Sequence, residues 1–470
     1  MGQEISRTIF DAGDFARFAA HLAAETALLG TRLREGVFSE SPPLVAGCEI
    51  EGWLLDRHYH PVADNEAFLA RLNDPLVVPE LSRFNIELNC APRALTGRVF
   101  AELRDDLART WQACQRAAHA AGEIAMLIGI LPNLRERDLS LANVSALNRY
   151  HALNAEVMRT RHGAPIAIDI QGRDRLRLVH EDVMLEAGTT SFQLHLQVPC
   201  SRIARFHNAA QLLAGPMVAV AANAPFLFGR DLWAETRVPL FEQAVSTGEG
   251  TPKRVTFGDA WLRESASELF TDNAARFAPL LPLALDGPAE HFAHVKLHNG
   301  TIWRWNRLLI ATAPVPSLRL EHRVMAAGPT FIDMLANAAL FYGAVTFLAQ
   351  LTEPPERGLP FHRARDNFYR GARLGLESGF DWIDGQSHAA SDLICAELVP
   401  MAREGLRQLD VADEDTAPLL DIIAQRARSG RNGAWWQRAW IARHPGDFVG
   451  LTARYVEHQR AGNPVHEWQV

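Results

Sequence analysis

The sequence predicts an α+β fold in which a sheet packs its apolar face on helices and turns a polar face the other way. Three observations predict it. Four short segments alternate apolar and polar residues with period two, the pattern of strands that have two unlike faces. Long stretches place apolar residues every three or four positions, which is the helical period. The 470-residue chain is 48% apolar and 22% charged, globular values that exclude disorder, coiled coil and collagen. A chain of this length buries roughly three quarters of its unfolded surface, so it needs neither disulfides nor a structural metal for stability. Nothing marks a clean domain boundary: there is no internal repeat, low-complexity tract or Pro/Ser linker.

The elements follow in chain order. Residues 14–33, rich in Ala and Leu, form a helix. The strand at 48–54 sets Cys48 and Ile50 against Glu49, Glu51 and Trp53. The strand at 84–90 sets Phe84, Ile86, Leu88 and Cys90 against Asn85, Glu87 and Asn89. Thr96, a capping residue, opens a helix whose stripe is Phe100, Leu103, Leu107, Trp111 and Cys114. At 191–198, Phe192, Leu194, Leu196 and Val198 oppose Ser191, Gln193, His195 and Gln197. At 318–324, Leu318, Leu320 and Val324 oppose Arg319, Glu321 and Arg323. Pro329 and Thr330 open an apolar helix through Leu348, and much of 390–460 reads helical, with Trp435, Trp436, Trp440 and Trp468 packing a C-terminal cap.

A formal charge of −8 argues against a nucleic-acid partner, whose phosphates need a basic surface, and against an anionic membrane surface. No apolar run reaches the ~20 residues that span a bilayer, and the N-terminus has no basic region followed by an apolar one. Five cysteines include no CxxC pair and leave an odd thiol, which fits a reducing compartment and a cytoplasmic protein. They sit mostly on apolar strand faces as inert core thiols. His207, His294 and His298 have no zinc spacing and read as structural.

If the four strands share a sheet, Glu49, Glu51, Glu87 and Glu321 share its polar face with Gln193 and His195. Carboxylates on neighbouring strands repel unless their pKa values rise or cations sit among them. Mg2+ accepts such oxygens and leaves positions open for phosphate. The plain alternative is that each polar face is simply solvated. The Gly-rich, basic stretch at 248–254 offers Lys253 and Arg254 to phosphates, but it lacks GxxxxGK[ST] and reads equally as a surface loop.

The segments GCEIEGWLLD (47–56), PELSRFNIELNCAPRAL (79–95), TSFQLHLQV (190–198), AANAPFLFGR (221–230) and LRLEHRV (318–324) resemble, in that order, the signature segments of the glutamate–cysteine ligase superfamily. The branch they resemble contains plant-type glutamate–cysteine ligases and bacterial carboxylate–amine ligases. The resemblance implies a curved antiparallel sheet of glutamine synthetase type with helices on its outer face. It also implies a catalytic domain over 1–390 with a helical extension over 391–470 packed on it, the two reading equally as one continuous domain. By the same resemblance, Glu49, Glu51, Glu80, Glu87, Gln193, His195 and Glu321 are candidate ligands for two or three Mg2+ ions. Arg323, Arg237 and Glu51 are candidate catalytic residues. Lys253, Arg254, Asn223 and Arg304 are nucleotide-binding candidates, and Arg230 and Arg307 are further candidates for gripping a carboxylate.

The implied activity is ATP-dependent joining of a carboxylate, glutamate by expectation, to an amine through an acyl phosphate. The assembly state, including a homodimer, is left open. One departure stands out: relatives usually carry Asp where this chain has Ala326, which puts the substrate in question more than the ATP chemistry. Two rivals are a non-catalytic nucleotide-binding homologue and a metal-dependent amide hydrolase.

Overall fold

The four alternating segments become the central strands of one antiparallel sheet in the computed structural model, which describes residues 4–40 and 43–470. They are Val45–Leu55, Asn85–Asn89, Ser191–Val198 and Ser317–Ala326. Across the sheet the order is 306–311, 317–326, 191–198, 45–55, 85–89 and 77–79, with Arg93–Ala94 and Ile124–Met126 pairing beside Val45–Leu55. Each of these pairings is antiparallel. The sheet curls into a half-barrel, as twisted strands do when a bulge adds local bend. Such an irregularity lies between His322 and Met325.

The apolar face carries Ile50, Leu88, Leu194 and Leu320, all buried. It packs on the helices Ile203–Val220 and Phe331–Gln350. Tyr342 fastens the second of these by donating its hydroxyl to the carbonyls of Gly47 (2.7 Å) and His195 (3.2 Å). A further layer, Phe361–Leu374, Val399–Arg407 and Asp413–Ser429, packs behind them. Where Val399–Arg407 crosses Phe331–Gln350, backbone meets backbone at Gly343 and Gly405, with no room for a Cβ on either.

Phe331–Gln350 has the length and apolar composition to cross a bilayer, and 83% of its apolar window is buried inside the protein. This corrects the expectation that no apolar run is long enough; Asp333 in the first turn and Asn337 break the run of apolar residues in sequence without breaking the helix. Thr330 caps this helix through the Asp333 amide, as its position predicts. Thr96 does not cap its own helix. That helix runs Val99–Ala120, and its first amides, Phe100 and Ala101, donate instead to the Asp415 carboxylate from a distant helix. A long-range acid thus replaces the local hydroxyl.

The C-terminal helices share the apolar core, which runs from Ile5 to Trp468. Trp436 meets Trp468 edge-on at 5.1 Å. Arg426, buried, pairs with buried Asp333 at 2.7 Å and with Asn337 at 2.6 Å. All five thiols are free. Spacing gives no hint that Cys48 and Cys90 touch, yet their sulfurs lie 3.1 Å apart across neighbouring strands.

Candidate active site

Sheet register brings the acids together. Glu51 lies opposite Glu87, Glu49 opposite Gln193, and Glu321 opposite both His195 and Arg307. Directly opposed side chains on one face sit within interaction range. Glu80 joins them from the turn after Val77–Pro79. At the acids these polar faces are not solvated: Glu321 and Gln193 are 2% exposed, Glu87 3%, His195 4% and Glu49 8%. Burial of so many acids on one face overturns the plain reading of a water-covered sheet.

The acids form two groups, Glu49 with His195 and Glu321, and Glu51 with Glu80 and Glu87. In each, one ligand atom per residue lies within 4.8 Å of the others. The two groups differ electrostatically. Burial alone would raise the Glu321 carboxyl, but Arg307, which grips it with two hydrogen bonds of 2.7 and 3.0 Å, and Arg323 at 3.2 Å outweigh burial and hold it well below the usual range. Burial would raise Glu49 too, yet His195, with Nε2 3.2 Å away, brings it down to about 2. In the second group the neighbouring cations do not outweigh burial. Burial lifts Glu51 to about 7 despite Arg323, with Glu87 adding repulsion. Burial, followed by Glu49 and Glu80, lifts Glu87 to about 8. Burial and Glu51 also raise Glu80.

A relay of hydrogen bonds joins the groups. Arg323 donates to Gln193 Oε1 at 2.6 Å, Gln193 Nε2 donates to Glu51 at 2.9 Å, and Glu51 also accepts from the Ser191 amide and hydroxyl. These groups border a cavity of about 380 Å³. Glu49, Glu51, Glu80, Glu87, Gln193, Glu321, Arg307 and Arg323 line it, and Val245, Phe270, Leu281 and Trp303 give it an apolar region.

Several expected site residues are placed elsewhere. Arg237 is buried against Glu235 (3.0 Å) and the Val324 carbonyl (2.9 Å). Asn223 is wholly buried and bonds Tyr455, the Ala327 carbonyl and Gln437. Arg304 pairs with Asp272 at 2.6 Å, and Arg254 turns inward to the carbonyls of Thr301 and Ala278. The Lys253 side chain is 72% exposed, and Arg230 is exposed on a hairpin. None of the six lines the cavity. The buried ones already spend their donors on internal acceptors, which is how a guanidinium is accommodated inside a protein.

In the other direction, sequence reasoning missed Arg149, Tyr150, Glu186, Lys296 and Arg319, which do line the cavity. Arg319 lay on an alternating strand, beside Glu321, and its position on the polar face was the available signal. The rest come from helices and a 3₁₀ turn with no period that would aim them at the site.

Among solved structures the chain is similar to glutamate–cysteine ligase from Francisella tularensis in complex with AMP, with a TM-score of 0.52, 10% identity and 90% of each chain covered. It is also similar to a bifunctional glutathione synthetase from Pasteurella multocida, with a TM-score of 0.55 and 11% identity over 93% of this chain. The chain spans 55% of the length of that second protein. No curated protein matches the chain. The class is a carbon–nitrogen ligase that joins a carboxylate to an amine. The chain belongs to glutamate-cysteine ligase family 2 (GCS2), whose model matches residues 45–459.

Members of that family use ATP and a divalent metal, and the donor set here fits such an ion. Hard divalent cations take carboxylate oxygens, which both groups offer. His195 is buried with neither ring nitrogen in a well-formed hydrogen bond, the condition of a ligand without its ion.

A pH dependence follows. Burial pushes Glu51 up to about 7 and Glu87 up to about 8, both above the ordinary carboxylate range. Their contribution to stability is therefore present at low pH and lost as pH rises through about 7 to 8. Mg2+ binds the ionised form. Thermal unfolding with and without Mg2+ is expected to show a larger stabilising shift at about pH 8.5 than at about pH 6. Equal shifts at both pH values contradict the assignment.

Proposed function

We propose that this protein phosphorylates the γ-carboxylate of glutamate with ATP and passes the acyl group to an amine, working in the cytoplasm. The observation that carries the reading is the pair of buried acid groups on facing strands at the edge of one cavity. In the first step a carboxylate oxygen attacks the γ-phosphorus and ADP departs. In the second the amine attacks the acyl carbon and phosphate departs, with the amine proton released. Glu49, His195 and Glu321 would hold one Mg2+, and Glu51, Glu80 and Glu87 a second, with room in the proposal for a third. Bound there, the ions supply positive charge to the phosphate oxygens of ATP.

The protein's own groups do the rest. Arg323, poised between Gln193 and Glu321, has the charge and reach to stabilise the phosphoryl group in transfer. Arg307, once released from part of its bidentate grip on Glu321, suits a carboxylate. The apolar residues Phe270, Leu281 and Trp303 keep water from the acyl phosphate, which water would destroy. Ala326 has a packing reason: it is fully buried at the end of its strand, and a Cβ added to Gly129 would lie 2.8 Å from its own Cβ. An Asp there meets a crowded wall.

Incubating the pure protein with Mg-ATP, glutamate and a panel of amines tests the proposal. ADP formed only when both co-substrates are present is the expected result. Cleavage of amides without ATP would instead identify a hydrolase, and ATP binding without turnover a binding protein.

A further inference from the structure

We infer that Glu186 is the residue that selects the acceptor, by binding its positively charged amino group; this rests on the ligase reading above. Glu186 belongs to the 3₁₀ turn Val183–Gly188, which Asp182 caps by accepting the Met184 amide at 2.9 Å. Every other residue of that turn is buried, and only Glu186 keeps partial exposure. That exposure is to the cavity, which Glu186 lines. The turn therefore acts as a rigid bracket that presents one carboxylate to the substrate space.

Burial, and then repulsion from Glu80 and Glu51, push this carboxyl well above the usual carboxylate range against the pull of Arg323, so it takes its negative charge when a cation meets it. Arg323 is committed to Gln193 at 2.6 Å and to Glu321 at 3.2 Å. Among the described residues no side chain or amide donates a hydrogen bond to the Glu186 carboxylate. It also stands outside both acid groups, so the ions placed there do not account for it. A buried anion that neighbours other anions is costly unless a cation meets it.

The substrates divide by charge. ATP and the donor's reacting carboxylate are negative and belong with Arg323, Arg307 and the metal-binding acids. The acceptor amine carries a positive charge at rest, as does the α-amino group of glutamate, and the hydroxamate arm of the test tells the two apart. A carboxylate of this kind favours acceptors with a protonated amino group and gives no advantage to neutral nucleophiles.

Hydroxylamine, uncharged at neutral pH, separates acceptor binding from carboxylate activation because it traps an acyl phosphate as the hydroxamate without an ammonium to anchor. Wild type and Glu186→Gln are compared with Mg-ATP and glutamate, using hydroxylamine and the primary amine that wild type turns over best. For Glu186→Gln the expected result is a rise of about 30-fold or more in KM for the amine, the scale of one lost charge-assisted contact. KM for ATP and the rate of hydroxamate formation should stay within about threefold of wild type, which also certifies the fold, and Glu186→Asp should recover part of the amine affinity.

An unchanged KM for the amine overturns the inference. So does loss of hydroxamate formation, which would place Glu186 among the groups that bind metal, activate the carboxylate or hold the α-amino group of glutamate. If wild type forms neither amide nor hydroxamate, the ligase reading itself fails and this inference falls with it.

Discussion

Glu51→Gln is expected to lower amide formation by about a thousandfold while leaving the fold intact. Glu51 stands at the centre of the site, facing Glu87 across the sheet and receiving hydrogen bonds from Ser191 and Gln193. Glutamine has the same shape and keeps an acceptor for the Ser191 amide, so the sheet survives. What it removes is the negative charge that lets the second acid group hold a cation beside ATP. Burial already raises this carboxyl to about 7, so the neutral variant relieves repulsion. Its thermal stability without metal should equal or exceed that of wild type at about pH 8. Steady-state kinetics with a thermal scan checks both halves: lost activity with retained stability identifies a functional acid, whereas lost stability identifies a structural one.

Arg426→Ala is expected to destabilise the protein by about 3–5 kcal/mol, the usual cost of leaving one partner of a buried ion pair behind. Asp333 is fully buried and also accepts from Thr330 at 2.7 Å and from the Val465 amide. Without Arg426 the carboxylate loses the guanidinium that pairs with it. The consequence reaches beyond one pair, because Asp333 opens the helix Phe331–Gln350 that lies under the sheet, while Arg426 and Val465 belong to the C-terminal region. Denaturant unfolding followed by fluorescence of the buried tryptophans should register the change, and Arg426→Ala together with Asp333→Asn should recover part of it. An effect below about 1 kcal/mol would mean that the pair contributes as little as a surface bridge.

How much was legible in the sequence depended on whether a period carried the information. The central strands were, because alternation tells which side chains share a face, and on the condition that the strands share a sheet it placed Glu49, Glu51, Glu87, Gln193, His195 and Glu321 together. The depth of their burial was not. A polar face looks the same whether water or the protein's own cavity covers it, and the cover comes from helices and turns distant in sequence. Glu186 and Arg149 escaped notice for the same reason, since one lies in a 3₁₀ turn and the other at the start of a helix.

The arginines misled in the opposite direction. Arg237 was read as a catalytic residue and Arg254 and Arg304 as nucleotide-binding ones, and each gives its guanidinium to internal acceptors, most of them distant in sequence. Thr96 and Asp415 teach the same lesson for a helix cap: local chemistry nominates a partner, and tertiary packing can supply another.

We propose the polar face of the sheet as a binding site for divalent cations that serve ATP. Anomalous diffraction from crystals grown with Mn2+ and ADP tests it most directly. The account predicts peaks among Glu49, His195 and Glu321 and among Glu51, Glu80 and Glu87, in contact with the nucleotide phosphates. Well-ordered nucleotide with no anomalous density at either acid group would contradict it.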